Sequence, residues 1–360
     1  MRVWGRPGLG LALAGVGVVV ARHLFTRRSR PSSLDGQVVL ITGGSRGLGF
    51  LLAMEFARRG CRVAICSRNV AALEHARQLL ERQGAEAMSV QCDVADRQQV
   101  EAMVERVTAR FGRVDILVNN AGIIQVGPIQ NQTLEDFQRA MEVIFWGTLY
   151  PTMAVLPQML ERHSGRIVNI TSIGGKVSIP HLLPYGAAKF AATGLSEGLG
   201  AELAKEGIRV VTVVPGLMRT GSHLAAEFKG QAEGEYRWFA LGASLPLISM
   251  NARRAARRIV DAVARGETEP IISIPANLLA RLHGLFPGAT INALGLVNRL
   301  VLPGPGKATT SLTGVETHQR LASPIFSILT AWGLSAARRY QQRLLAPSAS
   351  GHGTSRHTTQ

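Results

Sequence analysis

The sequence is poor in cysteine, with only Cys61, Cys66 and Cys92 among 360 residues. So few cysteines exclude a disulfide-stapled scaffold, and their spacing does not match that of paired metal ligands. We therefore expect reduced, mostly buried thiols in a cytosol-like compartment. The hydrophobic content of 46% is enough for one large core or two modest ones.

Acidic residues are almost missing from both ends of the chain, which carries a formal charge of +16. Residues 1–35 hold six Lys/Arg and one acid, and residues 274–360 hold eight and one. The middle, residues 36–273, is close to balance with 26 Lys/Arg and 22 Asp/Glu. Because these flanks lack the pattern of interleaved basic and aromatic residues that is typical of a nucleic-acid surface, we expect no nucleic-acid partner, and an anionic membrane surface fits better.

Long hydrophobic runs are also scarce, and the one near the amino terminus is short. Residues 7–21 (PGLGLALAGVGVVVA) carry no charge, but a membrane span usually needs about 20 apolar residues. Arg6 and Arg22 would have to snorkel for it to cross, and no small-residue cleavage site follows. We predict an uncleaved membrane anchor and basic linker over 1–35, with an interfacial helix or a removed presequence as alternatives. The heavier positive flank behind the segment predicts a membrane-associated protein whose catalytic domain faces the cytoplasm.

Strand and helix patterns alternate after residue 35, and this alternation predicts the fold. The predicted strands are 37–42, 62–67, 87–92, 114–119, 166–171, 209–214 and 270–274. The predicted helices are 47–59, 71–83, 98–111, 135–162, 184–205 and 253–264. Such alternation implies an α/β protein with a doubly wound parallel sheet, the Rossmann fold, over residues 36–274. We expect a helical extension over 275–345 and a disordered tail over 346–360.

A glycine-rich turn follows the first predicted strand. It reads TGGSRGLG (42–49) and opens a helix, the arrangement that lets a backbone approach a pyrophosphate. The second strand ends in Cys66-Ser67-Arg68-Asn69, without the acid that would hold an unphosphorylated ribose. Arg46 and Arg68 instead offer donors for a 2′-phosphate, so the sequence predicts NADP rather than NAD. The alternative is two solvated surface arginines.

Further motifs give the chain a family resemblance. In order they are NNAG (119–122), Ser172 at the end of a strand, YGAAK (185–189) and PGLMRT (215–220). With the glycine turn, they make residues 36–273 resemble the classical short-chain dehydrogenase/reductase family. The resemblance implies catalytic roles for Ser172, Tyr185 and Lys189. With the glycine turn it implies a cofactor site of Gly43, Ser45, Arg46, Gly47, Leu48, Gly49, Arg68, Asp93, Val94, Asn119, Tyr185, Lys189, Pro215, Gly216 and Thr220. No metal is expected.

The three catalytic candidates have distinct implied tasks. Tyr185 would be the general acid in carbonyl reduction or the base in alcohol oxidation. A nearby cation favours an ionised tyrosine, and Lys189, one helical turn away, would supply it while holding the nicotinamide ribose. Ser172 would hydrogen-bond the substrate oxygen. The competing interpretation of each is structural: a helix edge for the pair and a strand-end residue for Ser172.

Ile144 departs from the family pattern. Many members carry an asparagine there that is thought to hold a proton-relaying water, and isoleucine has no donor or acceptor. Either another group relays the proton, or turnover is slower, or the chain binds NADP with little catalysis. We favour an active enzyme with an altered relay.

The segment 220–250 is expected to form the substrate loop. Its aromatic and aliphatic side chains, among them Tyr236 and Trp238, either cover a lipophilic substrate or simply pack against the domain. The leading hypothesis is an NADP-dependent oxidoreductase acting on a small lipophilic alcohol or carbonyl compound. The alternatives are an NADP-binding regulator and a membrane-associated scaffold with little turnover. Homo-oligomers are expected from the resemblance alone.

Overall fold

A six-stranded parallel sheet forms the centre of the computed structural model, which describes residues 32–321 and 323–342. The strands are β1 (Val38–Thr42), β2 (Arg62–Ser67), β3 (Ala87–Gln91), β4 (Ile116–Asn119), β5 (Gln125–Val126), β6 (Gly165–Ile170), β7 (Ile208–Val213), β8 (Met218–Arg219), β9 (Glu227–Phe228), β10 (Met250–Asn251) and β11 (Leu312–Thr313). The central sheet has the order β3-β2-β1-β4-β6-β7. This order reverses direction between β1 and β4, and ligands bind at such a switch point in open α/β sheets.

Helices cover both faces of the sheet, as the alternation predicted. They are α1 (Gly47–Arg58), α2 (Val70–Glu81), α3 (Arg97–Phe111), α4 (Leu134–Ala140), α5 (Gly147–Glu161), α6 (Leu183–Leu203), α7 (Ala232–Ser244), α8 (Ala252–Arg265), α9 (Ile274–Leu285), α10 (Pro287–Leu300), α11 (Gly314–Leu321), α12 (Pro324–Leu329) and α13 (Ala331–Arg339). The predicted Rossmann fold is confirmed. The predicted boundaries of its helices lie within two residues of the observed ones.

The sequence of β1 shows why the sheet is buried on both faces. Side chains alternate between faces along a strand, so Val39 and Ile41 enter the core that α1 and α8 cover. Val38 and Leu40 enter the opposite core, under α3 and α5. A continuous apolar run is therefore the pattern that a central parallel strand requires.

The longest helical stretch runs from Leu134 to Glu161. It comprises α4, a π-helical segment (Met141–Trp146) and α5. Within residues 32–321 and 323–342, it is the one helix long and apolar enough to cross a membrane. Val155 and Met159 on its inner face pack into the sheet's second core, so its apolar character is that of a core helix. The predicted anchor, residues 7–21, and the predicted tail, residues 346–360, lie outside the described residues.

The predicted seventh strand, residues 270–274, is wrong. The chain does run beside β7, but it forms only one isolated parallel bridge, between Val214 and Ile271. Pro270 lacks an N–H for a ladder, and Ser273 already caps α9 by accepting a hydrogen bond from the Ala276 N–H at 3.3 Å. Helix formation therefore ends the pairing.

The carboxyl-terminal extension divides into two parts. Helices α9 and α10 leave most of their apolar side chains exposed. Helices α11 to α13 instead pack on the catalytic domain, where Phe326 and Ala337 join the cluster around Phe228 and Tyr236. Strand β11 also pairs antiparallel with β9, in a small sheet with β5. The second part is therefore integral to the domain.

Candidate active site

The glycine turn is built for a close approach of backbone to ligand. Gly43 and Gly47 have φ values of +65° and +57°, which favour glycine. A side chain on Gly49 would collide with the Gly43 carbonyl. The Thr42 hydroxyl accepts hydrogen bonds from the N–H groups of Asn120 and Ala121, at 2.9 and 3.1 Å, so the turn is fastened to the end of β4.

Asn119 lies behind the cavity wall rather than on it. Its side-chain amide donates to Thr152 Oγ1 at 3.0 Å and to Asn169 Oδ1 at 2.8 Å. It therefore joins β4 to α5 and β6. The neighbouring Asn120 lines the cavity and donates to the Thr42 carbonyl at 2.9 Å.

The end of β6 positions two of the three catalytic candidates. The Ile170 carbonyl accepts a hydrogen bond from Lys189 Nζ at 2.7 Å. Two residues later, the Ser172 hydroxyl accepts one from the Gly174 N–H at 3.0 Å and interacts with the Tyr185 hydroxyl. Helix α6 carries Tyr185 and Lys189 one turn apart, with Nζ 5.9 Å from the centre of the tyrosine ring. The three side chains thus meet at one end of the sheet.

Burial controls the protonation of this group. Desolvation raises the pKa of Tyr185 above its usual value, although the hydrogen bond with Ser172 acts in the opposite direction. Burial is the larger of the two effects, so the pKa of the Tyr185 phenol lies above its usual value and not below it. Desolvation also lowers the pKa of Lys189 to about 8. At pH 7 the phenol is protonated and the lysine is still charged.

Two arginines line the cavity near the glycine turn and the end of β2. Arg46 Nη1 is buried and has no hydrogen-bond partner among the described residues. Burial and the charge of Arg68 both lower the pKa of Arg46. Arg68 Nη1 lies 3.7 Å from Asp93 Oδ2, and its side chain is mostly exposed. An orphaned guanidinium beside a second cation is an environment that an anionic group would stabilise.

A cavity of about 1030 Å³ joins these features. Every predicted site residue except Asn119 lines it: Gly43, Ser45, Arg46, Gly47, Leu48, Gly49, Arg68, Asp93, Val94, Ser172, Tyr185, Lys189, Pro215, Gly216 and Thr220. Its size and its glycine-lined floor fit a dinucleotide together with a substrate. Its remaining wall is largely apolar, with Ile123, Ile124, Ile179, Leu182, Leu217, Met218, Trp238, Phe239, Ile248 and Leu279.

The aromatic residues of the predicted substrate loop divide between the two proposed roles. Phe228 and Tyr236 are fully buried and pack inside the domain. Trp238 and Phe239 also line the cavity. The loop is not irregular, since residues 232–244 form α7.

A buried hydrogen-bonded pair connects two elements of this wall, and the sequence offered no sign of it. His181 Nδ1 lies 2.7 Å from Glu235 Oε1, and both residues are buried. Trp238 Nε1 donates to the other oxygen of Glu235 at 2.7 Å. The start of α6 is thereby tied to α7, because His181 precedes the catalytic helix by two residues.

Ile144 occupies the π-helical segment and is 1% exposed. It packs with Ala140, Ala188 and Ala192, and against Tyr185. A Cβ atom on Gly122 would lie 3.9 Å from both Ile144 Cγ1 and Lys189 Nζ, so the isoleucine lies near the lysine and is buried behind the cavity wall.

The comparisons with known proteins agree with this site. A family model described as short chain dehydrogenase matches residues 37–229. A relative from Anopheles gambiae, named dehydrogenase/reductase SDR family protein 7-like, is 34% identical over 75% of this chain and 86% of its own. The chain therefore belongs to the short-chain dehydrogenase family.

Solved structures show the same fold with both coenzymes. A short chain dehydrogenase/reductase from Burkholderia phymatum in complex with NAD is 25% identical, with a TM-score of 0.66, covering 70% of this chain and 94% of its own. A variant actinorhodin polyketide ketoreductase with NADPH is 31% identical, with a TM-score of 0.58, covering 67% and 97%. Family membership supports an oxidoreductase that uses NAD or NADP.

Proposed function

We propose that this chain is an NADP-dependent oxidoreductase that interconverts a carbonyl and an alcohol on a lipophilic substrate. The observation that carries the proposal is the meeting of Ser172, Tyr185 and Lys189 beside the glycine turn, in one cavity. The bound nicotinamide coenzyme would supply or accept the hydride. The side chains would orient the oxygen and move its proton.

The protonation states favour reduction. Ser172 would hold the substrate carbonyl oxygen against the Tyr185 hydroxyl, and the protonated phenol would donate its proton to that oxygen as the alcohol forms. The tyrosinate left behind would be stabilised by the charge of Lys189. The Ile170 carbonyl holds the ammonium in place, so that charge is already oriented.

The preference for NADP rests on the arginine pair. Arg46 carries a buried, unpartnered Nη1 atom, and Arg68 lies close enough to lower its pKa. A 2′-phosphate would satisfy that atom and reduce the repulsion between the two cations.

Apolar surface on the protein supports both a lipophilic substrate and binding to a membrane surface. The cavity wall includes Leu279 of α9, and the helical hairpin α9–α10 (residues 274–300) is covered with exposed apolar residues. The charged residues of this hairpin are Arg281 and Arg299, so its charge suits an anionic lipid surface. We therefore propose that the cavity lies at a bilayer. The six Lys/Arg of residues 1–35, most of them after the apolar segment 7–21, support a cytoplasmic position for the domain.

Substrate turnover by the full chain in liposomes or detergent tests the proposal. NADPH consumption is measured across a panel of lipophilic ketones for the wild type and for Tyr185→Phe, with Tyr150→Phe as the matched control. We expect the first variant to lose at least about a hundredfold in rate while it still binds NADPH, and the control to keep its rate. Equal rates for wild type and Tyr185→Phe would refute the mechanism. Coenzyme binding with no turnover of any ketone would favour a regulator or scaffold.

A further inference from the structure

The carboxyl-terminal strap, residues 340–342, lies against the glycine turn. The Gly47 N–H, at the start of α1, donates to the Tyr340 carbonyl at 2.9 Å. A Cβ atom on Gly47 would come within 2.6 Å of Gln342 Nε2. Both Gln341 and Gln342 line the cavity that contains the turn. A segment far from the nucleotide motif in sequence therefore forms part of the same wall.

The strap is fixed to the domain by buried side chains at and just before it. Tyr340 is 4% exposed and packs into the core under α1 and α8. The Arg253 guanidinium lies 6.0 Å from the centre of its ring. Ala337, one turn earlier on α13, is fully buried, and Gly221 leaves no room for a side chain beside it. These contacts make the strap a fixed wall of the cavity rather than a loose end.

The two glutamines carry polar atoms that find no partner in the described part of the chain. Gln341 is 7% exposed, and both Nε2 and Oε1 are buried without a hydrogen-bond partner among residues 32–321 and 323–342. Gln342 is 5% exposed, and its Oε1 atom is likewise unpartnered. Such atoms cost folding free energy when no ligand satisfies them. The Nε2 donor of Gln341 suits a phosphate oxygen, and the two Oε1 acceptors suit hydroxyl donors such as those of a ribose. Gln341 also has a φ of +65°, a conformation that side chains rarely adopt and that clusters at binding sites.

The chemistry of the wall favours an anion. A helix amino terminus attracts phosphate through its free N–H groups, but the Tyr340 carbonyl already occupies the Gly47 N–H. The side-chain amide of Gln342 brings a replacement donor beside Gly47. Gln341 lines the same cavity, which Arg46 also lines. The cavity keeps a volume of about 1030 Å³ with the strap in position, so the strap lines the space without filling it.

We propose that Gln341 and Gln342 are coenzyme-binding residues whose side-chain amides hydrogen-bond the pyrophosphate of the dinucleotide at the glycine turn. This inference rests on the proposed function, because it supposes a nicotinamide dinucleotide in the cavity. The pyrophosphate is common to NAD and NADP. The two glutamines therefore contribute to affinity for both coenzymes and not to the choice between them.

The test measures the Kd values of NADPH and NADH by fluorescence titration of the full chain in detergent. Gln341→Met and Gln342→Met keep the side-chain length and remove the amide, and the exposed Gln319→Met is the matched control. We expect each of the two variants to raise both Kd values about tenfold, the order of effect of one hydrogen bond to a charged group. The ratio of the two Kd values should stay unchanged, as should both values in the control.

A second readout uses the thermal midpoint without coenzyme. Because Gln341→Met removes unsatisfied buried atoms, the midpoint should stay equal or rise, which separates a binding role from a structural one. Unchanged Kd values in both variants, with wild-type binding intact, would overturn the inference alone. Tighter binding in the variants would also overturn it, since the strap would then obstruct the site. A wild-type chain that binds neither coenzyme would instead refute the proposed function.

Discussion

Lys189 carries the charge on which the proposed reduction depends. Its ammonium group is buried, held by the Ile170 carbonyl, and has a pKa lowered by desolvation to about 8. The lysine is charged below that pH and neutral above it. The support that it gives to a Tyr185 anion is therefore lost as the pH rises through 8.

The pH dependence of reduction should show this loss. We expect kcat/KM for a ketone to be level below pH 8 and to fall about tenfold per pH unit above it, as for a single required proton. The measurement is a rate profile from pH 6 to 10 at saturating NADPH. Lys205→Met, which removes an exposed lysine just beyond α6, should leave the profile unchanged. A profile level to pH 10 would contradict the role of Lys189.

Arg68 should determine coenzyme choice at little cost in stability, because its side chain is 66% exposed. We expect Arg68→Ala to raise the Kd for NADPH about tenfold while the Kd for NADH changes less than twofold. Both constants are obtained by fluorescence titration. Arg97→Ala, at an equally exposed position on α3, is the control. Equal losses for the two coenzymes would count against a 2′-phosphate contact.

Ile144 should matter more for packing than for proton transfer. Ile144→Asn places an amide among Ala140, Ala188 and Ala192, where it finds apolar neighbours. A buried polar group without a partner costs about 1–3 kcal/mol, so the thermal midpoint should fall. Because the Ile170 carbonyl already holds the lysine, we expect the reduction rate to change less than about threefold. Loss of a true proton-transfer group typically changes the rate by about a hundredfold or more. A gain of tenfold or more would show that the relay limits the natural enzyme.

At the scale of elements, the helical hairpin α9–α10 stands apart from the rest. Ile274, Leu285, Phe286 and Leu300 are each at least 60% exposed, and no acidic residue lies between 274 and 300. A contiguous apolar surface of this kind marks an interaction site. Leu279, in the first helix of the hairpin, lines the cavity. This position would suit a substrate that enters the cavity from the lipid.

Charges on the hairpin should weaken its binding to lipid. We expect Leu285→Asp combined with Leu300→Asp to reduce cosedimentation with phosphatidylserine-containing liposomes at least about tenfold, because each buries a charge in the apolar layer. A chain beginning at residue 32 removes the contribution of the predicted anchor. Leu247→Asp, at a position 92% exposed in the loop after α7, should leave binding unchanged. Undiminished binding of the double variant would direct attention to another partner for the hairpin.

At the scale of the whole molecule, the carboxyl-terminal helices complete the catalytic domain. Phe326 and Ala337 share a buried cluster with Phe228 and Tyr236, while Tyr340 enters the main core. The small sheet formed by β5 and β9 gains its third strand from β11. The carboxyl-terminal extension, which the sequence predicted as a separate helical region, therefore shares hydrophobic cores with the Rossmann domain.

Truncation after residue 310 should consequently destabilise the entire protein. The truncation removes the buried side chains of Phe326 and Tyr340. Burial of each contributes about 1.5–3 kcal/mol to the free energy of unfolding, and their former neighbours become exposed. We expect the thermal midpoint to fall by more than about 10 °C, or the protein to be expressed in insoluble form. The matched control is a chain truncated after residue 342. A truncated protein with the midpoint of the control would show that the helices are only docked.

Much of this molecule is specified within short stretches of sequence. The glycine turn, the apolar strands and the Tyr185–Lys189 spacing depend on neighbours a few residues apart, so the fold could be predicted from the sequence. Fifteen of the sixteen predicted site residues line one cavity. The family resemblance implies that Asn119 belongs to the cofactor site, whereas its amide donates hydrogen bonds to Thr152 and Asn169 behind the cavity wall. The seventh strand failed because an adjoining helix cap competed for the same residues.

The sequence by itself therefore determined the sheet, the glycine turn and α6 with its Tyr185–Lys189 spacing, because each has a local signature in spacing or periodicity. Only the tertiary structure decided that His181 pairs with Glu235, that Ile144 packs against Tyr185, and that Gln342 lies beside the glycine turn. These contacts join segments that carry no pattern of their own. They depend on how α7 and α13 pack on the domain, which is a property of the folded chain and not of any short segment.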